Sequence, residues 1–359
     1  MTGLAKAYRR AEAFAADFGL RAPILLAPMA GACPAALSIA VANGGGMGAC
    51  GVLLMGPEAI EGWVREMRAG SEGAFQLNTW IPDPAPARDP ANEAAVRAFL
   101  SKWGPEVPPE DAEATPPDFA AQCEAMLAAA PVAISSVMGL YPPDFVARMK
   151  ARGVRWFVTV TTVAEAVAAE EAGADVIVAQ GMEAGGHRGA FRAEEAEAAM
   201  VGLFSLLPAV VDAVDRPVVA AGGIADGRGI AAALLLGASA VQVGTAFLRA
   251  PEAGLPSAWA DGIGAARPED TVVSRAFSGR AGRSLRNAYT AAATSADAPR
   301  PAPYPVQRNL TRAMRAAAAR EDRVETMQAW AGQSAGLARA ASAQRIVQAL
   351  WDEAQDLLG

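Results

Sequence analysis

A (β/α)8 barrel of the α/β class is the fold this sequence predicts, and three observations predict it. Short β-branched or apolar runs alternate with alanine-rich helical stretches, the rhythm of a parallel sheet. Eight such runs can be counted along the chain, whereas an open doubly wound sheet ordinarily stops at about five to seven strands. The chain has 359 residues, 52% of them apolar, which suits one barrel with insertions and supplies its core.

The runs read, in order, 23–28 (PILLAP), 46–50 (GMGAC), 74–79 (AFQLNT), 132–137 (VAISSV), 155–160 (RWFVTV), 175–180 (DVIVAQ), 217–221 (PVVAA) and 240–245 (AVQVGT). The second is the least strand-like, being short and rich in glycine. Helices are expected from Pro34 to Ala42, Pro57 to Ala69, Asp144 to Arg152, Val163 to Ala172 and Gly227 to Leu236. Two stretches break the rhythm. Residues 81–118 hold nine prolines around a helical stretch near Asn92 to Lys102, and form an insertion after strand three expected to lie over a barrel rim. The stretch Ser278 to Gln307 is rich in Gly, Pro and Arg and gives way to a helical tail. The expected organisation is thus one domain over 1–359, with an insertion at 81–118 and a C-terminal extension at 278–359.

A net charge of −7 argues against nucleic acid or an anionic membrane as a partner. Cys33, Cys50 and Cys123 show neither metal nor disulfide spacing and read as small buried hydrophobes in a reducing compartment. Charges interrupt the N-terminal MTGLAKAYRRAEAFAADFGL too early for a signal peptide, so the expected location is the cytoplasm. From Gly229 to Leu248 no charge occurs, which invites a membrane-span reading. Gly237 splits that stretch, however, and Gln242 and Thr245 interrupt its second half. A buried helix, a tight turn and a buried strand explain it better.

Barrel enzymes build their sites at the C-terminal ends of the strands. After strand six the chain reads QGMEAGGHRG over 180–189, and the only histidine of the protein, His187, lies there. A lone histidine on an apolar helix face is ordinarily a packed core residue. One in a glycine-rich loop at the catalytic rim, with an unperturbed pKa of ~6.5, reads instead as an acid–base group. After strands seven and eight come AGGIADG (221–227) and QVGTA (242–246). Gly222, Gly223 and Gly244 would let backbone N–H groups approach a phosphate, with Thr245 adding a hydroxyl; the plainer alternative is that these glycines only make tight turns. The literal G-x-G-x-x-G at 46–51 follows a helix and opens none, so it is no dinucleotide fingerprint. The three lysines, Lys6, Lys102 and Lys150, sit at no strand end, which disfavours a Schiff-base barrel. A single histidine among scattered carboxylates offers too few ligands for a catalytic metal. One acid–base group beside a phosphate site leaves the difficult chemistry to an organic cofactor.

Ala27-Pro28-Met29-Ala30, Gln76-Leu77-Asn78, QGMEAGGHRG, AAGGIADGRG, ALLLGASAVQVGTAFL and the C-terminal FSGRAGRSLRN, PYPVQRNLTRAMRAAA and WAGQSAGLARA together resemble the nitronate monooxygenases (2-nitropropane dioxygenases) of bacterial type. The resemblance covers nearly the whole chain. It implies a TIM barrel with one noncovalent FMN, and oxidation of a nitronate or nitroalkane by O2 to a carbonyl compound plus nitrite or nitrate. Carried over, Ala27, Pro28 and Met29 would lie along the isoalloxazine, and Asn78 and Gln180 near the flavin or its ribityl chain. Gly185, Gly222, Gly223, Gly244 and Thr245 would hold the phosphate end, with Gln242 nearby. His187 would remove the substrate's α-proton or stabilise a bound nitronate. Tyr304 matches a substrate-side tyrosine, while Arg308 and Arg312 either pair an anionic substrate such as propionate 3-nitronate or cap a solvated helix. An FMN-dependent NAD(P)H enoyl-acyl-carrier-protein reductase shares the barrel and its loops and stays open as an alternative, as does a noncatalytic flavin-binding barrel. The sequence leaves the oligomeric state, a homodimer included, undecided.

Overall fold

The computed structural model describes residues 3–113 and 115–359. All eight expected runs form strands: β1 (Ile24–Leu26), β2 (Gly48–Gly51), β3 (Phe75–Trp80), β4 (Ala133–Val137), β5 (Arg155–Val160) and β6 (Val176–Gln180), then, after a two-residue strand β7 (Gly186–His187), β8 (Val218–Ala221) and β9 (Ala240–Val243). The eight strands of the main sheet pair in parallel throughout, in the order β1-β9-β8-β6-β5-β4-β3-β2. The two ends of that order meet. Leu26 N–H donates to the Met47 carbonyl at 2.9 Å and Met47 N–H to that of Ile24 at 3.0 Å, which closes the sheet into a barrel.

The strands read as unbroken apolar runs because both faces are covered. Helices Ala35–Asn43, Pro57–Gly70, Phe119–Ala129, Pro143–Ala151, Val163–Glu171, Leu203–Ala213 and Gly227–Leu235 follow their strands around the outside. Their starts obey local chemistry: Thr162 and Asp226 accept backbone N–H groups of Glu165 and Gly229 as N-caps. The helix Gly3–Asp17 closes the barrel floor. Its Phe14 and the following Phe18 pack among Leu25, Met47, Phe157 and Val219, with the Phe18 ring edge-on to Phe157 at 5.3 Å. The uncharged stretch resolves as expected into the helix ending at Leu235, a turn at Gly237 (φ +114°) and buried β9. No described helix is long and apolar enough to cross a membrane. All three cysteines are free and buried.

Two features outside the simple repeat position the site. First, the proline-rich insertion folds onto the C-terminal region in a second apolar cluster. Val96, Leu100 and Val107 pack there with Phe277, Tyr289, Val306, Leu310 and Met314. Second, a small antiparallel sheet goes unannounced by the sequence: β10 (Thr271–Ser274) pairs β11 (Gly282–Leu285), and β11 pairs β7. Within the C-terminal extension, helix Ala343–Leu358 returns to the ring after a long excursion. It lies between helices Ala35–Asn43 and Gly227–Leu235 and buries Ile346, Val347, Leu350 and Ala354. Glycines make that seat: a Cβ on Gly44 would meet Val347 Cβ at 3.0 Å, and one on Gly227 the Ala354 backbone N at 2.7 Å.

Candidate active site

A cavity of about 580 Å³ opens at the C-terminal ends of the strands, within the usual range for small-molecule sites. Of the residues expected from sequence, Ala27, Pro28, Met29, Asn78, Gln180, Gly185, His187, Gly222, Gly223, Gln242, Gly244, Thr245, Arg308 and Arg312 all line it. Tyr304 does not. Its ring packs on that of Trp80, centroids 5.1 Å apart, and Trp80 itself lines the cavity.

One side of the cavity is built from backbone. Gly222 and Gly223 have φ +103° and +71°, the left-handed region that glycine enters without strain. The backbone N–H groups of Gly222, Gly223, Gly244 and Thr245 donate to no acceptor among the described residues. Four free donors gathered at one partly open side of the cavity suit an anion. The 330–334 stretch lies over them: Gly332 N–H donates to Thr245 Oγ1 at 3.0 Å and Ser334 Oγ to the Gly223 carbonyl at 2.6 Å. Gly185 has a different purpose. A Cβ there would strike Gly332 N at 2.5 Å, so its smallness serves loop-on-loop packing.

Side-chain amides extend this wall. Asn78 Nδ2 donates to Ser135, leaving its Oδ1 without a protein partner. Gln242 Oε1 accepts from Gln76 Nε2 at 3.3 Å, leaving its own Nε2 free for a ligand. Gln180 is engaged at both ends: Nε2 donates to the His187 carbonyl at 3.1 Å and Oε1 accepts from Gly189 N–H at 2.8 Å. It therefore ties the histidine segment to β6.

The opposite side is built from side chains around His187. The histidine sits on β7, paired with Gly282 of β11, rather than in a free loop. GRSL (282–285) has no strong strand-forming character, so only the folded pairing reveals it. The imidazole is held between two indoles, Trp80 at 4.6 Å and Trp330 at 4.8 Å between centroids. Its Nε2 is 2.7 Å from Ser278 Oγ. Burial above all, and then the positive charges of Arg280, Arg308 and Arg315, pull its pKa down to about 3, so the ring is neutral at physiological pH.

The arginines differ in what they hold. Arg312 is exposed and paired with Asp111 at 2.7 Å. Arg315, unanticipated from sequence, is held by Thr311 Oγ1, Gln328 Oε1 and the Arg308 carbonyl. None of these is a carboxylate, and burial and its neighbours lower its pKa to about 10. Arg308 is likewise lowered, by burial and then by Arg312. Two half-buried guanidinium groups without carboxylates facing one cavity create a field that favours a bound anion. A signal for Arg315 existed in the spacing: 308, 312 and 315 recur at i, i+4 and i+7, one face of a helix. Ser278, Trp80 and Trp330 gave no such signal.

A closed parallel barrel with a cavity at its C-terminal rim and a histidine on the cavity wall has the make-up of a (β/α)8-class enzyme. The sequence model of the family described as "Nitronate monooxygenase" matches residues 13–353, and the chain belongs to that family. It is 36% identical over 356 residues to the nitronate monooxygenase of Pseudomonas aeruginosa, covering 95% of this chain and 99% of that one. It is 38% identical to the nitronate monooxygenase of Paraburkholderia phytofirmans, covering 92% of each. Among solved structures it is similar to nitroalkane oxidase from Streptomyces ansochromogenes (34% identity, TM-score 0.88, 95% of this chain and 97% of that one). It is also similar to FabK from Thermotoga maritima (26% identity, TM-score 0.76, 96% of each). The protein is thus an oxidoreductase of the nitronate-oxidising group.

Proposed function

We propose that the protein binds FMN and oxidises small nitronates, and the nitroalkanes from which they form, with O2 as the electron acceptor. The observation that carries this reading is the division of one cavity into idle backbone donors on one wall and a neutral histidine beside uncompensated arginines on the other. The fit to FMN rests on those donors: Gly222, Gly223, Gly244 and Thr245 offer N–H groups to a single phosphate, while Ala27, Pro28 and Met29 supply an apolar surface for a flat ring. Asn78 Oδ1 and Gln242 Nε2 are an acceptor and a donor free for its polar edge. FMN when bound supplies the electron-accepting chemistry that amino-acid side chains lack.

The chain's own residues do the rest. A nitroalkane places its acidic α-carbon against His187, whose neutral ring takes the proton as general base. The resulting nitronate is an anion, held by Arg308 and Arg315 through charge-assisted bonds. Trp80 and Trp330 keep water from the ring and fix its plane. A preformed nitronate enters already deprotonated and needs only the anion-binding part of this arrangement. A carboxylate on the substrate, as in propionate 3-nitronate, gives the second guanidinium a partner of its own.

Anaerobic mixing in a stopped-flow spectrometer tests the reading. Propionate 3-nitronate should change the flavin spectrum without NADH or NADPH, and O2 uptake should follow on aeration. Rapid bleaching by NADPH, with reoxidation by an enoyl thioester, would assign the protein to the enoyl reductases instead.

A further inference from the structure

Asp83 belongs to the proline-rich insertion, and its half-buried carboxylate reaches a buried arginine. Its two oxygens accept from Arg280 Nη2 and Nε at 2.7 and 2.8 Å, a bidentate pair, and the Arg280 side chain is only 3% exposed. The backbone of Arg280 closes a tight turn with Ser278. Ser278 Oγ accepts from Arg280 N–H at 3.3 Å and donates to the Arg280 carbonyl at 3.2 Å. Gly279 between them has φ +89°, and a Cβ there would strike the Ala302 carbonyl oxygen and Tyr304 N at 2.5 Å, so the turn packs closely on the 302–304 segment and admits only glycine at its centre. The remaining contact of the Ser278 hydroxyl is His187 Nε2 at 2.7 Å.

A serine hydroxyl has one hydrogen to give. The contact with Nε2 admits either direction; where the hydroxyl hydrogen stays on the Arg280 carbonyl, Oγ accepts Nε2–H and the neutral ring carries its proton at Nε2. Its lone pair is then on Nδ1, which has no hydrogen-bond partner among the described residues and belongs to a side chain on the cavity wall.

We propose that Asp83 is a positioning residue for His187: its pair with Arg280 locks the Ser278–Arg280 turn, and the turn fixes the imidazole tautomer that presents Nδ1 to the substrate. The insertion after β3 is then a working part of the catalytic wall as well as a cover. The inference rests on the reading of His187 as the base. Asp83 also offsets the charge of Arg280, one of the three arginines (with Arg308 and Arg315) whose charges act on the ring, so its loss leaves a buried guanidinium unpaired.

His187 is the only histidine in the chain, so one pair of imidazole nitrogens reports on it without assignment. In protein purified with its flavin and labelled with 15N-histidine, the ring should show a single neutral tautomer protonated at Nε2. Asp83→Asn should give a tautomer mixture. It should also lower kcat on a neutral nitroalkane by roughly 10–100-fold, the scale of a misplaced catalytic group, while leaving KM and the oxidation of a preformed nitronate little changed. Asp83→Glu should restore the single tautomer. If Asp83→Asn yields no folded protein, Arg280→Lys keeps the charge but loses the fork, and should give the same mixture. Retention of one Nε2–H tautomer in Asp83→Asn or Arg280→Lys, or a mixture already in the unaltered protein, overturns the proposal. A mixture in Asp83→Asn with undiminished nitroalkane turnover supports the positioning role and refutes instead the reading of His187 as base.

Discussion

The two walls of the cavity are made in different ways. The wall formed by the ends of β1, β8 and β9 is backbone: glycines, idle N–H groups and short side chains, each supplied where a strand stops. The wall around His187 is side chain: Ser278, Arg308, Arg315 and Trp330 arrive from the excursion that follows β9, and Trp80 from the edge of the insertion. A backbone wall is indifferent to most substitutions and intolerant of any side chain at its glycines. A side-chain wall can be retuned residue by residue. Binding of the proposed FMN is therefore expected to be brittle, and substrate handling graded.

The largest effect should come from filling the backbone wall. At Gly244 a Cβ would already stand 3.2 Å from Ala27 Cβ and Met29 Sδ, and Gly244→Asp adds a negative charge beside the idle donors. The purified variant should lack flavin absorbance even after reconstitution with FMN; full occupancy would place the phosphate elsewhere. On the other wall, His187→Ala should keep its flavin and lose turnover on a nitroalkane by ~10²–10⁴-fold, the usual worth of a general base. The loss should be smaller with a preformed nitronate, and equal, near-normal rates on both substrates would remove His187 from the mechanism. Next in size, Arg315→Ala should cost ~1.5–3 kcal/mol of kcat/KM on a nitronate carrying a carboxylate, the worth of a hydrogen bond to a charged group. Steady-state oxygen consumption measures it, and an uncharged nitroalkane serves as control. Arg312→Ala, already paired with Asp111, should do less.

The same histidine also sets a response to pH. Because the folded protein holds the His187 pKa down to about 3, kcat/KM for a nitroalkane should show no acid limb as pH falls through 6.5. Stability follows the same shift with a definite sign. Above the unfolded value of ~6.5 both states hold a neutral ring and the histidine contributes no pH dependence. As pH falls from there towards about 3, only the unfolded chain takes the proton, and stability declines. Urea titrations of the protein and of His187→Gln should diverge in that window, with the unaltered protein losing the more.

The backbone wall was legible in the sequence because each of its requirements is local. A strand run followed by paired glycines states, within ten residues, where a chain turns and what can approach it. The eight strands were legible for the same reason, as was the dissection of the uncharged 229–248 stretch at Gly237. The side-chain wall was not. Asp83 and Arg280 are 197 positions apart, and no local pattern marks either as the other's partner. Trp80 and Trp330 carried no signal of a role until the fold packed both against one imidazole. The pairing of β7 with β11 joins residues with no strand-like composition. Arg308 and Arg312 drew notice as a basic pair, but a third arginine and one carboxylate decide which of them is free. Tyr304 was expected beside substrate; it packs on Trp80, which lines the cavity, without lining it itself.

The helix Ala343–Leu358 carries a consequence for how the protein is made. Its seat between helices Ala35–Asn43 and Gly227–Leu235 is shaped early in synthesis and filled only after the whole stretch from Gly244 to Ser342 has left the ribosome. Throughout that interval the nascent barrel carries an open slot with two apolar banks, of the kind that invites aggregation or a chaperone. Ribosome-bound chains stalled before residue 343 should therefore be protease-sensitive along both banks. The late arrival of one amphipathic helix would convert them, in a single step, to the resistant form.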